Sequence, residues 1–153
     1  IKMEVARSEK PNVHFLRNVR KLCDKNNIIL IFDECTTGFR ENYGGLHKTI
    51  GVNPDIAIFG KTLGNGYAIN AIIGKKKFMS NVTSTFISST FWTERIGPTA
   101  ALKTLEIMQK TKSWEYVTDL GKYLKSIWLE AANSHKLSIT IISCPSFISF
   151  SHK

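Results

Sequence analysis

Apolar residues along this chain follow two spacings. Between residues 12 and 25, Phe15, Leu16, Val19, Leu22 and Cys23 recur at i, i+1, i+4, i+7 and i+8. That stripe predicts a helix, with Asn12 as its N-cap and Asn26-Asn27 as its stop. The next run, Ile28-Ile29-Leu30-Ile31-Phe32, is apolar throughout. A run of that kind predicts a parallel strand covered on both faces. Ile56-Ala57-Ile58-Phe59 repeats the pattern. Residues 68–74 predict a third strand, antiparallel to its neighbour because the connection is short. Residues 2–6 read as a short strand ahead of the first helix.

Further along, Pro98 suits the first turn of a helix reaching about residue 110. Val117, Leu120, Leu124, Ile127 and Ala131 then return at helical spacing, which predicts a second helix with a core-facing stripe. Thr111-Lys112-Ser113 is the expected linker between them. Residues 137–143 are β-rich, and Cys144-Pro145 ends that run. Tyr43-Gly44-Gly45 and the Ser/Thr-rich residues 80–89 read as loops. His47, in the first of these, reads as a solvated loop histidine. Alternating strands and helices argue for an α/β layer fold with a mostly parallel sheet. Its chemistry belongs at the strand C-termini.

Two strand ends carry candidate chemistry. Asp33 ends the first buried run, and Lys61 follows the second in Gly60-Lys61-Thr62-Leu63-Gly64-Asn65-Gly66. An amine and a carboxylate at neighbouring strand ends are what pyridoxal phosphate chemistry needs. The lysine bonds the cofactor aldehyde as a Schiff base, and the acid keeps the pyridine nitrogen protonated. On residue types alone, other readings stand. An Asp after a strand also caps helices or binds a metal or ribose, and a Lys after Gly is often a solvated loop residue.

The surrounding words carry a resemblance. Ile29-Leu30-Ile31-Phe32-Asp33-Glu34-Cys35-Thr36-Thr37-Gly38-Phe39-Arg40, Pro54-Asp55-Ile56 with the Lys61 loop, and Ser88-Ser89-Thr90-Phe91-Trp92-Thr93-Glu94-Arg95-Ile96-Gly97-Pro98 stand in that order. Together they resemble the class III aminotransferases, and most closely the glutamate-1-semialdehyde aminomutase-like branch. The resemblance implies a fold-type I pyridoxal phosphate-dependent transferase. Residues 1–111 would be the second half of its large cofactor-binding domain, and residues 112–153 the start of its small α+β domain. It implies Lys61 as the Schiff-base lysine and Asp33 as the partner of the pyridine nitrogen. Cys35 takes the place of a Val or Ile packed on the ring. Thr90 is the threonine that reaches the phosphate of the partner subunit's cofactor, with Thr93 as its rival. Thr90 is then expected to lie away from Lys61 within one subunit. Glu4 falls where the family has a Glu-Pro pair, but Val5 replaces the proline.

The implied activity is an aminotransferase that moves an amino group from a small-molecule donor to a carbonyl acceptor by a ping-pong route. The alternatives are a glutamate-1-semialdehyde 2,1-aminomutase or a catalytically incompetent fragment of such an enzyme. Gly38-Phe39-Arg40 suits the aminomutase, whereas Trp92-Thr93-Glu94-Arg95 looks more like related transaminases. The family's chains are much longer than 153 residues, and its phosphate-cradling loop has no counterpart here. The chain therefore reads as an internal fragment, inactive alone, of an enzyme that is a homodimer when intact.

Charge changes this picture little. The formal net charge is +9, from 21 Lys and Arg against 12 Asp and Glu. Lys75-Lys76-Lys77 is the one tight run and reads as a solvated strand end rather than a nucleic-acid patch. No nucleic-acid partner is expected. A basic surface suits anionic substrates instead. Cys23, Cys35 and Cys144 lack metal-type spacing, and no metal site is expected. Their odd number and the lack of a secretory segment point to a reducing, cytoplasmic compartment. No apolar run has the length of a membrane span, so no membrane partner is expected.

Overall fold

Asn12 begins the first helix, α1 (Val13–Lys25), by accepting a hydrogen bond from the Phe15 N–H on its side-chain oxygen. The computed structural model of the chain describes residues 1–3, 12–91, 93–142 and 148–152. The expectations for Glu4, Trp92, Cys144, Pro145 and most of the 2–6 strand fall outside those residues. Lys2 itself forms a parallel bridge to Asp33.

The apolar run after α1 yields a shorter strand than its composition predicts. β1 spans Ile31–Asp33. Its late start has a local cause. The Ile28 N–H donates to Cys23 O at 2.8 Å, so Ile28 still belongs to the turn that closes α1. Ile28, Ile29 and Ile31 are exposed, so the expected cover on both faces is absent among the described residues. The stripe on α1 is likewise narrower than predicted. Leu16 and Cys23 are buried, whereas Phe15 and Leu22 are exposed.

A five-residue helix, α2 (Leu46–Ile50), leads to β2 (Ile56–Phe59), which matches the predicted run. β2 pairs parallel with β1 in the register Ile31–Ile56, Phe32–Ala57 and Asp33–Ile58. β3 (Ala71–Gly74) pairs antiparallel with β2, as the short connection requires. The sheet order is β1-β2-β3, with β1 parallel both to β2 and to the Lys2 bridge, and only β3 antiparallel. A short helix, α3 (Lys76–Met79), comes directly after β3. One apolar cluster, of Met3, Leu16, Cys23, Leu30, Phe32 and Val52, joins α1 to β1. A second, of Ala57, Phe59, Leu63 and Ala101, joins β2 to the long helix α4 (Ile96–Thr111).

Lys112, in the left-handed region at φ 50°, separates α4 from α5 (Ser113–Ser134). The predicted linker is thus a single tight turn. The stripe on α5 does not face a core as expected. Val117, Leu120, Leu124 and Ile127 are all exposed, and the buried positions are Gly121 and Ala132. Spacing defines a face, but it cannot supply the layer that covers it. β4 (Ile139–Ile142) and β5 (Ser149–His152) form an antiparallel pair, with Phe150 set edge-on to Trp128 at 5.2 Å between ring centres.

The base of the main sheet is tied by Asp55, which is almost completely buried. Its carboxylate accepts from the Leu30 N–H at 2.9 Å, from Arg20 at 2.8 Å and from Lys75 at 2.7 Å. Lys75, expected to be a solvated strand end, therefore has a structural partner. Burial works against the charged carboxylate, but these donors outweigh it and lower its pKa to about 2. Because that folded-state value lies below the usual 3.8, the stabilisation is complete above about pH 4 and is lost as the pH falls toward 2. We expect about 2 kcal/mol to disappear over that window. The Asp55→Asn variant, less stable at neutral pH, should converge on the wild type there. Denaturant titrations at pH 7, 4 and 2.5 check this, and a constant gap between the two proteins would contradict it.

Candidate active site

The parallel pairing of β1 with β2 brings two strand ends to one edge of the sheet. Asp33 is the last residue of β1, and Lys61 stands two residues beyond the end of β2. Asp33 is half-buried and Lys61 is exposed. Asp33 accepts the Cys35 N–H on Oδ1 at 3.1 Å. Lys61 donates from Nζ to Thr36 Oγ1 at 2.9 Å. The two groups are thus bridged by a two-residue stretch, 35–36, rather than by direct contact.

Lys61 opens a single 3-10 turn, Lys61–Leu63, with its own φ at 43°. The left-handed region costs a side-chain-bearing residue about 1–3 kcal/mol, and such strain tends to gather at functional sites. Leu63 anchors this turn in the second apolar cluster. Gly64 then passes so close to the following turn that a Cβ there would lie 2.1 Å from Tyr67 O. The small residue is needed for space at that point.

Cys35 is half-buried beside both groups. Burial pushes its thiol up, hydrogen bonding and charge from Asp33 add to the rise, and the Lys61 cation partly offsets them. It is therefore a neutral thiol at ordinary pH, with the character of a small apolar side chain.

Directly behind this stretch, Glu34 is fully buried. Its carboxylate accepts from Thr37 Oγ1 at 3.0 Å, from the Leu46 N–H, and from the His47 N–H at 3.0 Å. His47 Nδ1 lies 2.6 Å from Glu34 Oε1. Burial would raise the Glu34 pKa, but the donors of His47 and Leu46 reverse the shift and hold the carboxyl below its usual value. His47 is thus a half-buried partner of a carboxylate, not the solvated loop residue expected. The sequence singled out neither Glu34 nor its bond to His47. An acid followed by Thr three residues later hints at a local hydrogen bond, but nothing local announces the reach to residue 47.

A cleft of about 1470 Å³ opens beside Lys61. The lysine loop, Phe39, Arg40, residues 89–91, Glu94, α4 and the start of α5 contribute to its wall. Thr90 lies on this wall in the same chain as Lys61, whereas Asp33 and Cys35 do not. The expected remoteness of Thr90 from Lys61 is thus not a matter of separate cavities. Thr93, its rival, is exposed and is not part of the wall. Arg40 donates from Nε to Thr36 O at 2.5 Å. Tyr67 OH donates to Glu94 Oε1 at 2.5 Å, and that carboxylate holds the phenol above its usual pKa. Among the described residues, no group of three or more His, Cys, Asp or Glu is placed to hold a metal ion.

A sheet whose parallel strands deliver a carboxylate and a strained lysine to one edge, beside a hydroxyl-lined cleft, is the α/β architecture of fold-type I pyridoxal phosphate transaminases. Known proteins of that class match it. A Sphingopyxis sp. MTA144 FumI protein, in its pyridoxal phosphate internal aldimine form, superposes with a TM-score of 0.88 at 26% identity over 93% of this chain and 34% of its own. An omega-transaminase from Sphaerobacter thermophilus shares the fold, with a TM-score of 0.83 at 24% identity, over 94% of this chain and 34% of that one. The chain belongs to the aminotransferase class-III family, whose model matches residues 8–149. A 3-aminobutyryl-CoA aminotransferase from Cloacimonas acidaminovorans (strain Evry) is 40% identical over 118 residues, which is 76% of this chain and 28% of that protein. The chain thus spans roughly a third of the length of these relatives.

The donor set fits the family's cofactor, pyridoxal phosphate. An exposed amine would meet an aldehyde, a half-buried carboxylate suits a protonated ring nitrogen, and the cleft offers hydroxyls from Thr62 and Ser89 to a phosphate. The geometry of the loop gives a direct test. A methyl group at Gly64 must displace the Tyr67 backbone, so Gly64→Ala should move the lysine loop and weaken pyridoxal phosphate binding about tenfold or more. Fluorescence titration with the cofactor checks this, and an unchanged affinity would show that the tight approach does not matter.

Proposed function

We propose that the protein is a pyridoxal phosphate-dependent aminotransferase that moves an amino group from a small-molecule donor to a carbonyl acceptor. The observation that carries this reading is the joint placement of Asp33 and Lys61 at the ends of two parallel, hydrogen-bonded strands. When bound, pyridoxal phosphate supplies an aldehyde for the lysine and a ring that draws electrons from the substrate Cα. Lys61 holds the cofactor at rest. Once displaced, its Nζ would take the proton that leaves the substrate Cα and deliver it to the cofactor carbon that had carried the aldehyde. Asp33 keeps the ring nitrogen protonated, and Cys35 packs on the ring as a neutral thiol. Thr90 binds phosphate, in a partner subunit of a homodimer.

Transfer is favoured over the aminomutase reading by the 40% identical relative, which is named an aminotransferase. We place the boundary between the large cofactor domain, 1–111, and the small domain, 112–153, at Lys112. The left-handed break between α4 and α5 supports it. A cytoplasmic location is supported by the free thiols of Cys23 and Cys35. No described helix is long and apolar enough to cross a membrane.

Two substitutions test the assignment in the intact enzyme of which this chain is part. Lys61→Ala should abolish the visible band of lysine-bound cofactor and reduce transfer by about 10²–10⁴-fold or more, since both its covalent and proton-transfer roles vanish. Asp33→Ala should keep part of the cofactor through the remaining contacts yet lose most of its turnover. Absorbance spectra and amino-transfer assays distinguish the two. Full turnover after Lys61→Ala would overturn the proposal.

A further inference from the structure

The stretch between Asp33 and Lys61 is held from behind. Residues 35 and 36 make the contacts that meet the two groups, through the Cys35 N–H to Asp33 Oδ1 and the Thr36 hydroxyl from Lys61 Nζ. Glu34 and Thr37 bracket that stretch, and their side chains bond to each other at 3.0 Å. The Glu34 backbone adds two more ties. Its N–H donates to Ile58 O on β2 at 2.8 Å, and its carbonyl accepts from the Gly38 N–H at 2.8 Å.

The carboxylate of Glu34 also draws in the start of α2, through the N–H groups of Leu46 and His47 and the ring of His47. The approach is close enough that a Cβ at Gly45 would lie 2.6 Å from Glu34 Oε1 and 2.4 Å from His47 Nδ1. A carboxylate is an acceptor-only group with two oxygens, so it satisfies four converging donors at once. A glutamine would turn an amide N–H toward those donors, and an apolar residue would leave them bare in the interior.

We infer that Glu34, with Thr37 and His47, is a positioning group that sets the aim of the Lys61 amine and the Asp33 carboxylate. What the amine is aimed at rests on the function proposed above. The cluster touches neither substrate nor cofactor. It acts through residues 35 and 36, whose backbone has little freedom while both bracketing side chains are bonded. The plainer reading is that a buried carboxylate closes the 38–45 loop and affects stability alone. The two readings differ in what happens at Lys61 when the fold is kept.

The experiment measures covalent capture of pyridoxal phosphate in the intact purified enzyme of which this chain is part. The Lys61 amine condenses with the aldehyde and releases water. Added borohydride then delivers hydride to the carbon of the new C=N bond, and solvent supplies the proton to nitrogen. Peptide mass mapping reports the site and rate, and absorbance before reduction reports the environment of the bound cofactor. Thr37→Val removes the hydroxyl at nearly constant volume, and His47→Ala removes the ring but keeps the backbone N–H. Circular dichroism and thermal melts establish that each is folded at the assay temperature.

Capture at Lys61 should slow about tenfold in both variants, the low end of what loss of an outer hydrogen-bond partner costs at metal sites. The absorption maximum of the bound cofactor should shift, and Thr37→Ser should restore both. Folded variants with lower melting temperatures but wild-type capture rates and spectra would overturn the inference and leave the aminotransferase reading standing. Failure of Thr37→Ser to restore the rate would also overturn it. Absence of capture at Lys61 in the wild type would instead overturn the functional reading, and this inference with it.

Discussion

The register of β1 against β2 is the constraint on which the rest depends, and the Asp55 carboxylate fixes it from below. Asp55 sits one residue before β2 and bonds to Leu30, one residue before β1. Its own N–H donates to Leu30 O at 2.8 Å, and its carbonyl accepts from the Lys75 N–H just after β3. Arg20 brings α1 to the same carboxylate. One buried group therefore gathers a helix and three strands at the base of the sheet. A one-residue slip of β1 would take the Leu30 N–H away from that carboxylate and turn Phe32 out of its cluster. Buried ion pairs add little net stability over apolar replacements, but removing one partner of such a pair costs about 3–5 kcal/mol. Such a group penalises the wrong pairing more than it rewards the right one.

The opposite edge of the sheet has its own buried carboxylate. Glu34 does there what Asp55 does below, gathering backbone N–H groups and a basic side chain around one acid. Between the two, the strands are only three and four residues long. Asp33 ends one of these short strands and Lys61 follows the other, so both stand between the two clusters. The strained φ of Lys61 fits this arrangement. A residue held in the left-handed region needs rigid surroundings. Leu63 in the apolar cluster and the close turn at Gly64 provide them.

What the sequence revealed was local. Asn12 as a cap, β2 residue for residue, and the turn at Lys112 all follow from patterns within a few positions, and the structure contains each. Asp33 and Lys61 were singled out partly by the apolar runs that precede them, and mainly by the family resemblance of the words around them. Errors arose where the outcome depends on residues far along the chain. Phe15, Leu22 and the α5 stripe have helical spacing, but burial needs a covering layer that spacing does not specify. His47 looked solvated because the glutamate that captures it lies thirteen residues upstream. Asp55 and Lys75 look like ordinary polar punctuation around a strand until the antiparallel return of β3 brings them together.

The misread residues share a physical origin with the site itself. Apolar periodicity records where a chain can bury surface, whereas buried charges record where it must not move. Glu34 and Asp55 are acids in positions that an apolar residue would fill at less desolvation cost. Each is tolerated because donors from separate elements converge on it, and that convergence is a property of the assembled fold. The amine of Lys61 needs a fixed partner more than it needs a stable neighbourhood. A hydrogen-bonded acid supplies direction, which apolar contact cannot. On the inference drawn above, the same two carboxylates are the groups through which this fold would hold an exposed lysine and a half-buried aspartate in a defined relation.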